Sequence, residues 1–486
     1  MNTNLDITVE HVLDNITFTE IKFKQLSNEE RTAIIDEIHD TFGLDLNAEQ
    51  SCAFRIAAEH FVSNDVHQML MFVTGMGGSG KSHVIKAIVE LCKWCGCSHE
   101  LLLSAPTGCA AILIEGYTIH TLTFLPGKQT ANNKEKLENI WAKVKYLILD
   151  ETSMLSAEML SQISEHISNA KAINTYNRDK PFRGVNVIFG GDMGQLCPVI
   201  ESALYAYNLV NQPTVNMRET LSGQAGLFGA AIWRQLTHVV ELKQNMHAKD
   251  DPLFVALLAH MQIGQGITQS STGSSDYETL KTRIMDRLAV ERPDKYKHLC
   301  NAPVVFGERR LRDWFNDVHT RKFASESAQE FHAYLSIDKV AGQQLAGDNR
   351  LHLSTMQSKE SKELLGQLPL IPGMPLIVTE NLSMPHKVVN GSEGILKDVI
   401  YRTVPEGREA VCAYIEMPAF SLHLNGLERS IISILPQTTQ FTYTMSSRDK
   451  IKINHSQLPL IPVWAFTDYK VQGASLELVI VDLYSA

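Results

Sequence analysis

Residues 71–88, MFVTGMGGSGKSHVIKAI, constrain the fold more than any other part of this sequence. An apolar run leads into a glycine-rich loop that ends Gly-Lys-Ser, and an amphipathic stretch follows. The loop fits G-x-x-x-x-G-K-[ST], a pattern in which backbone N–H groups turn inward around phosphate oxygens. The alternative is an accidental glycine-rich turn. The strand predicted before the loop and the helix predicted after it favour a phosphate-binding loop, because that motif requires both. The residues expected to hold a nucleotide are Gly75, Gly77, Gly78, Ser79, Gly80, Lys81 and Ser82.

Two side chains of this loop have specific predicted roles. Lys81 is placed to reach the terminal phosphates, and the Ser82 hydroxyl is placed to ligate Mg²⁺. The helix that starts at Ser82 points its positive end at the anion. The loop therefore predicts a site for a nucleoside triphosphate and its magnesium ion.

Size and composition indicate a multidomain globular protein. The 486 residues exceed one ordinary domain, and 44% hydrophobic with 20% charged residues is typical of soluble proteins. We find no secretory signal pattern and no apolar run near the length of a bilayer span, so we expect no membrane partner. The net charge of −10 argues against a protein held on nucleic acid by overall charge, although a local groove can still be basic.

The eight cysteines are too sparse for a disulfide framework, which predicts a reducing, intracellular compartment. Cys92, Cys95 and Cys97, with His99 nearby, are candidates for part of a zinc site. No second ligand pair follows at the spacing of a zinc finger. Ordinary buried thiols are therefore the better interpretation.

Apolar runs that alternate with helical patterns predict a parallel sheet covered on both faces. The predicted strands of this first domain, residues 41–225, are 69–74, 101–105, 144–150 and 185–189. A helical segment, residues 1–40, precedes the domain, and Ser27 and Glu30 in it form a capping box. A second α/β region is expected to begin near residues 239–242 and to occupy 226–370. Short strands then predict a β module over 371–450, and 451–486 return to α/β character.

Polar side chains follow two further predicted strands. Asp150 and Glu151 come directly after one apolar strand, and Asp192 and Gln195 come after another. Because the carboxyl ends of parallel strands meet at one edge of a sheet, these side chains should lie near the phosphates. We expect Asp150 to hold Mg²⁺ through water, Glu151 to orient or deprotonate the attacking water, and Gln195 to bond a terminal phosphate. Each loop alone could be a solvated turn, but together they predict a triphosphate hydrolase.

Three further stretches, LLLSAPTGCAAILIEGYTIHTL, GDMGQLCPV and YKVQGASL, follow the phosphate loop in this order. With it they resemble the superfamily 1 DNA helicases. Within them the sequence is most similar to the Pif-type (petite integration frequency) group, which includes RecD relatives, and to the helicase region of fungal Helitron-like transposons. The resemblance covers residues 46–483. It implies two RecA-like domains with parallel sheets and a small SH3-like β-barrel module inserted in the second.

The same resemblance implies an ATP-driven motor that moves 5′ to 3′ along single-stranded DNA and uses Mg²⁺. The expected substrates are single-stranded DNA and DNA junctions, and the expected setting is recombination, repair, telomere maintenance or Helitron-like transposition. A monomeric motor and a nuclear location belong to this expectation. Another P-loop class, such as a nucleotide kinase or an ATPase that acts on protein, is disfavoured by the ordered motifs.

Individual residues can be matched to the family motifs. Gln50 matches a glutamine that reads the adenine edge. Residues 124–137 fall where relatives carry a small wedge that splits the duplex, although this stretch is equally typical of a solvated loop. "PTG" as a simple turn and His120 as an ordinary hydrogen-bonded histidine are the alternatives outside this context. The residues matched to DNA contacts are Pro106, Thr107, Gly108, Thr118, His120, Asn390, Gly391, Lys470 and Gln472.

The sequence departs from the family pattern at several points. His247 stands where an arginine usually follows "NM" and reaches the γ-phosphate, and Tyr469 and Val471 replace a histidine and a serine. A neutral imidazole lacks the permanent charge and forked donors of guanidinium. The chain also ends at Ala486, before a segment resembling YVALSR whose arginine completes the site in relatives. Since such an arginine can be worth about 10³ to 10⁵ in rate, we expect weakened hydrolysis. A relative that binds ATP and single-stranded DNA with little turnover stays an alternative.

Overall fold

The computed structural model describes residues 27–63, 67–125, 131–172, 177–199, 201–211, 213–246, 248, 251–266, 275–355, 364–383, 386–418, 420, 426–444, 450–474 and 476–484. The chain divides into two compact units, Met1–Thr282 and Arg283–Ala486. Across the described ranges, no helix combines the length and the apolar composition needed to cross a bilayer.

A six-stranded parallel sheet forms the centre of the first unit, in the order β3-β2-β4-β5-β1-β6. Its strands are β1 (Leu70–Gly75), β2 (Leu101–Ala105), β3 (Tyr117–Thr118), β4 (Tyr146–Leu149), β5 (Asn186–Gly191) and β6 (His238–Leu242). The four strands predicted for the first domain are confirmed as β1, β2, β4 and β5.

Helices cover both faces of this sheet. The helices of this unit are α1 (Asn28–Thr41), α2 (Ala48–Ser63), α3 (Lys81–Trp94), α4 (Gly108–Leu113), α5 (Ile119–Thr123), α6 (Ala131–Trp141), α7 (Ala157–Ala170), α8 (Tyr207–Asn211), α9 (Val215–Glu219), α10 (Leu221–Trp233), α11 (Pro252–Gln262) and α12 (Asp276–Lys281). Along β1, Leu70 and Phe72 are buried in one core and Met71 and Val73 in another. Burial on both faces explains why the strands read as continuous apolar runs.

The capping box at the start of α1 is confirmed. The Glu30 N–H donates to Ser27 Oγ at 3.2 Å, and the Ser27 N–H donates to Glu30 Oε2 at 2.7 Å. Ile35 and Ile38 are buried in the core that also holds α2 and α3. The helix therefore packs into the first unit. Residues 1–26 of the predicted helical segment 1–40 lie outside the described part of the chain.

The position of β6 corrects the predicted domain boundary. Residues 239–242 were expected to begin the second motor domain, but β6 pairs in parallel with β1, from Met71 opposite His238 to Gly75 opposite Leu242. Val240 and Leu242 are buried in the same core as Met71. The boundary between the two compact units in the sequence accordingly lies between residues 282 and 283, and not between 225 and 226. The error arises because an apolar run predicts a strand but does not say which strand it pairs with.

The proposed wedge region, 124–137, is helical in its second half. Residues 126–130 lie outside the described part of the chain. From Ala131 the chain forms α6, whose Leu137, Ile140 and Trp141 are buried in the core of the first unit. The solvated-loop alternative is therefore wrong for α6, whereas the duplex-splitting role stays a prediction.

The second unit contains a small parallel sheet with the order β19-β7-β20. Its strands are β7 (Val304–Phe306), β19 (Ala465–Thr467) and β20 (Ile480–Val481). The helices of this unit are α13 (Met285–Glu291), α14 (Pro293–Leu299), α15 (Arg309–Glu326), α16 (Gly347–Ser354) and α17 (Asp468–Val471). Asn316 on α15 accepts the Ala465 N–H at 2.8 Å and thereby fixes the helix to β19.

Two mainly antiparallel sheets make up the rest of the second unit. The larger has the order β11-β8-β14-β13-β12-β18 with β15 beside β14, and the smaller has the order β10-β9-β17-β16. The strands are β8 (Ala333–Leu335), β9 (Ile337–Val340), β10 (Gln343–Gln344), β11 (Gln367–Pro369), β12 (Pro375–Val378), β13 (Glu393–Val404), β14 (Gly407–Glu416), β15 (Ile431–Ile434), β16 (Gln437–Thr444), β17 (Lys450–Gln457) and β18 (Leu460–Pro462). The predicted β module is present, but its pairing extends beyond 371–450, because β8, β9, β17 and β18 join the same sheets.

Candidate functional site

Residues 75–82 span the end of β1, the turn at 76–80 and the start of α3, as the motif requires. Gly78 and Gly80 have φ angles of 84° and 91°, in the left-handed region that glycine adopts without strain. A Cβ placed on Gly80 would lie 2.1 Å from Gln50 Nε2, so a second residue approaches the loop too closely for any side chain there. These glycines let the backbone curl around an anion at the carboxyl edge of the sheet.

Lys81 lies at the mouth of this loop among three carboxylates. Its Nζ donates to Gly75 O at 2.6 Å and to Met76 O at 3.2 Å. Burial lowers the pKa of Lys81, and the charges of Asp192, Asp150 and Glu151 act in the opposite direction. Carboxylates from two separate loops, one after β4 and one after β5, therefore act on one ammonium group of the phosphate loop.

Asp150 directly follows β4 and is buried, with 6% of its surface exposed. Burial raises the pKa of this carboxyl, while the Glu151 N–H, 3.0 Å from Oδ1, and the Lys81 charge lower it. Gly190 on β5 leaves the space that the carboxylate occupies, since a Cβ there would lie 2.6 Å from Asp150 Oδ1. Glu151 has a φ of 53°, a left-handed conformation that is uncommon outside glycine and is often found at functional sites.

Asp192 and Gln195 follow β5 and approach the same loop. The Gly194 N–H donates to Asp192 Oδ1 at 2.9 Å, which fixes a tight turn. A Cβ on Gly77 would lie 3.6 Å from Gln195 Nε2. The amide of Gln195 therefore lies against the phosphate loop, where its predicted contact with a terminal phosphate is geometrically feasible.

Gln50 contacts the phosphate loop from α2. Its Nε2 donates to Ser79 O at 2.9 Å, and its own N–H donates to Asn47 Oδ1 at 3.0 Å. With 3% of its surface exposed, Gln50 supports the loop in this structure. Its predicted contact with the adenine edge stays a prediction.

Asn245 contributes to the site but was missed by sequence reasoning. Its Nδ2 donates to Gly77 O at 2.9 Å, and the next residue, Met246, donates its N–H to Gly78 O at 2.9 Å. The segment after β6 thus orients two peptide groups of the phosphate loop. The available signal was its place in "NM", directly before His247, which lies outside the described residues.

The predicted DNA-contacting residues of the first unit lie directly after β2 and at or just after the end of β3. After Pro106, Thr107 Oγ1 accepts the Ala110 N–H at 3.3 Å and caps α4, which begins at Gly108. Thr118 Oγ1 likewise accepts the Thr121 N–H at 3.3 Å and caps α5. Burial lowers the pKa of His120, so its imidazole is neutral at pH 7. Both threonines therefore have structural roles, and their DNA contacts stay predictions.

Two of the predicted DNA-contacting residues of the second unit, Lys470 and Asn390, are hydrogen-bonded to each other. Lys470, on α17 after β19, donates from Nζ to Asn390 Oδ1. Gly391 has a φ of 102°, and the Ser392 N–H donates to Val389 O at 2.9 Å across Asn390 and Gly391, which closes the predicted turn. Gln472 is the C-cap residue of α17.

Val471, one of the departures from the family pattern, has a packing role. It lies against the buried side chains Ile377, Ile461 and Phe466. An apolar side chain suits this contact better than a serine hydroxyl would.

The cysteine interpretation agrees with the structure. Cys92 and Cys95 are buried in the core beside α3. Burial raises the pKa of Cys95 to about 12, so this thiol is protonated at neutral pH. A protonated buried thiol is a poor nucleophile, as expected of an ordinary core cysteine.

Comparison with known proteins identifies relatives of the chain. Residues 45–253 match the model of the PIF1-like helicase family. The ATP-dependent DNA helicase PIF1 of Xenopus laevis is 22% identical over 85% of this chain, and the match covers 54% of that protein. The chain thus spans about half the length of the curated relatives it matches. The resemblance to Pif-type helicases is confirmed, while the Helitron likeness stays a prediction.

Two solved structures share the fold. The Pif1 helicase from Candida albicans is 19% identical with a TM-score of 0.56, covering 90% of this chain and 88% of that one. The Bacteroides Pif1 helicase in complex with ADP-AlF3 and single-stranded DNA is 22% identical with a TM-score of 0.56, covering 87% and 84%. The expected α/β architecture with RecA-like domains is therefore confirmed.

Proposed function

The chain is related by sequence and by fold to the PIF1-like helicases, and from this premise we propose that it is an ATP-dependent DNA helicase of the Pif1 type. The observation that carries the proposal is the convergence of Asp150, Glu151 and Asp192 on Lys81, beside the phosphate loop. That constellation suits hydrolysis of a nucleoside triphosphate. The relatives named as ATP-dependent DNA helicases support the further step to a DNA motor.

The phosphate loop, Glu151 and Gln195 have different proposed roles in binding and hydrolysing the triphosphate. The backbone N–H groups of residues 75–82 bind the phosphate oxygens, and the Lys81 ammonium exchanges its carbonyl partners for the terminal phosphates. Glu151 orients or deprotonates the attacking water. Gln195, beside Gly77, bonds the terminal phosphate and changes its contact when that phosphate leaves.

The donor set fits a magnesium ion. Asp150 offers a carboxylate beside the phosphate loop; burial raises its pKa, and the Lys81 charge lowers it. Mg²⁺ prefers such oxygen ligands, and the exposed Ser82 hydroxyl on the first turn of α3 is a second one. When bound, the ion neutralises charge on the phosphates, and Asp150 and Ser82 would hold it.

Single-stranded DNA is the proposed nucleic acid along which the protein moves. Its phosphates are expected to meet the residues at 106–108, Thr118 and His120 in the first unit, and Asn390, Gly391, Lys470 and Gln472 in the second. Amides, hydroxyls and a neutral imidazole contact phosphate without a high net positive charge, which is compatible with a net charge of −10. The 5′ to 3′ direction, action on junctions, monomeric state, cellular process and nuclear location stay predictions from the sequence.

The test is ATP hydrolysis with and without single-stranded DNA, followed by unwinding of forked duplexes with a 5′ or a 3′ tail. We expect DNA to stimulate hydrolysis and Lys81→Ala to remove at least about 99% of it, because the variant lacks the cation on the terminal phosphates. Lys86→Ala is the matched control, since Lys86 is an exposed lysine on the same helix. Equal hydrolysis by Lys81→Ala and Lys86→Ala would refute the assigned site.

A second function, binding of ATP and single-stranded DNA with little turnover, is favoured by the sequence departures at His247 and Tyr469. The same assays separate the two functions. Nucleotide and DNA binding without DNA-stimulated hydrolysis would support the binding protein and reject the motor.

A further inference from the structure

Gln262, the last residue of α11, contacts the candidate site although no motif contains it. Its Nε2 donates to Asp192 Oδ1 at 2.7 Å. The same oxygen accepts the Gly194 N–H at 2.9 Å, so two donors fix one carboxylate oxygen. A Cβ on Gly194 would lie 1.9 Å from Gln262 Nε2, so only glycine allows the amide to come this close.

The segment that carries Gln262 contacts the site at both ends. After β6, Asn245 Nδ2 bonds Gly77 O in the phosphate loop. Farther along, Asp251 Oδ1 accepts the Phe254 N–H at 3.1 Å and caps the start of α11, and Gln262 then reaches Asp192. Within the described residues, the part at 243–246 thus contacts the phosphate loop and α11 contacts the turn after β5.

Asp192 is the right target for such a contact because it acts on Lys81. Burial lowers the pKa of Lys81, and Asp192 is the carboxylate that opposes this effect most strongly. Asp192 itself is 7% exposed, so a donor that fixes its oxygen substitutes for lost water. An amide does this without adding a charge to a site that already has three carboxylates.

We propose that Gln262 is a positioning residue that holds the Asp192 carboxylate beside Lys81 and so maintains the affinity of the phosphate loop for a nucleoside triphosphate with its divalent cation. This inference rests on the proposed function for the identity of the ligand. Gln262 does not touch the phosphates; it acts through Asp192.

Three variants of the full chain test the proposal. Gln262→Ala removes the donor, and Gln262→Glu replaces it with a carboxylate that faces Asp192. Gln265→Glu is the control. Gln265 is exposed and lies three residues after Gln262, and this substitution introduces the same charge change as Gln262→Glu. The measurement is the dissociation constant of a fluorescent ATP analogue with Mg²⁺ between pH 5.5 and 8.5, and melting temperatures show that each variant is folded.

We expect Gln262→Ala to weaken binding about 3- to 10-fold at every pH, the range of one lost hydrogen bond. We expect Gln262→Glu to weaken it about 10-fold or more at pH 8 and to recover to within about threefold of wild type at pH 5.5. The recovery follows because two facing carboxyls share a proton at low pH, and the protonated one then donates as the amide did. A merely structural role would not produce this recovery.

Other titrating groups near Asp192 are common to all variants. They are Lys81, on which Asp150 and Glu151 act together with Asp192, and His260 on α11 with its partner Asp276. Dividing each constant by the wild-type value at the same pH removes their effect. Gln265→Glu should stay within about twofold of wild type throughout.

A Gln262→Glu defect that does not change with pH, or affinities of both Gln262 variants within twofold of wild type, would overturn the proposal. ATP turnover on the same samples separates this failure from that of the proposed function. Wild-type protein that binds the analogue but shows no DNA-stimulated turnover would reject the motor and leave the binding comparison decisive. Wild-type protein that does not bind the analogue would reject both.

Discussion

Asp150 is a residue whose function and stability requirements oppose each other. Its pKa is raised by burial, so the folded state disfavours the ionised carboxylate that catalysis needs. For an acid with a raised folded-state pKa, the penalty is fully present above that pKa and disappears below the unfolded value of about 3.9. We therefore expect Asp150→Asn to be as stable as wild type or more stable at pH 7, and this difference to vanish towards pH 4.

The same variant should lose ATP turnover by about 10²-fold or more, because a neutral amide holds the cation much more weakly than a carboxylate does. The Asn oxygen can still accept the Glu151 N–H, which keeps the local turn. Urea unfolding without nucleotide, at pH 7 and pH 4, measures the stability difference. A clear loss of stability at pH 7 would contradict the assigned penalty.

Residues within a motif could be predicted from the sequence, whereas residues that act across long separations could not. Lys81 and Ser82 follow from eight consecutive positions whose geometry is local. Asn245 and Gln262 bond partners 168 and 70 residues away, and nothing in their neighbourhoods specifies those partners. Gln50 lies between these cases, since its proximity to the site could be predicted but its bond to Ser79 O could not.

At the scale of elements, α10 packs against α7 through a glycine. A Cβ on Gly229 would lie 1.7 Å from Ala157 O, a distance that forces the two helices apart. We expect Gly229→Ala to destabilise the first unit by about 1–3 kcal/mol, the usual range for overpacking. Thermal unfolding of the full chain measures the change.

Gly226 on the same helix provides the matched control. The nearest atom to a Cβ there is Leu209 Cδ2 at 3.5 Å, an ordinary van der Waals contact. Because alanine favours helix more than glycine by about 1 kcal/mol, Gly226→Ala should be neutral or stabilising. If both variants lowered the melting temperature equally, the close approach of α10 to α7 would not be the cause.

The type of most elements in the first unit could be predicted, because buried parallel strands are continuous apolar runs and helices have amphipathic periods. Pairing could not be predicted for β6, which is locally a good strand and joins β1 across more than 160 positions of chain. The β module shows the same limit. Its strands were expected from turn signals, but β8 and β9 come from a stretch that gave no such signal, and they join it only through long-range pairing.

At the scale of the whole molecule, the net charge of −10 limits how the chain can hold DNA. DNA binding that depends on a few cationic side chains releases few counterions from the DNA. For a single strand, the logarithm of the association constant plotted against the logarithm of the salt concentration has a slope of about −0.7 per neutralised phosphate. With Lys470 and a small number of other cations in contact, we expect a slope of about −1.5 to −3. This slope can be measured by fluorescence anisotropy of a labelled thymidine oligonucleotide at salt concentrations from about 50 to about 300 mM.

Lys470→Ala should make that slope shallower by about 0.7, because one phosphate contact is lost. Lys339→Ala, at an exposed position on β9 in the same unit, should leave the slope unchanged. A wild-type slope steeper than about −5 would mean that many cations carry the binding, and that amides, hydroxyls and a neutral imidazole are not the main contacts. Equal slopes for Lys470→Ala and wild type would show that Lys470 does not contact the DNA. The bond between Lys470 and Asn390 would then have a purely structural role.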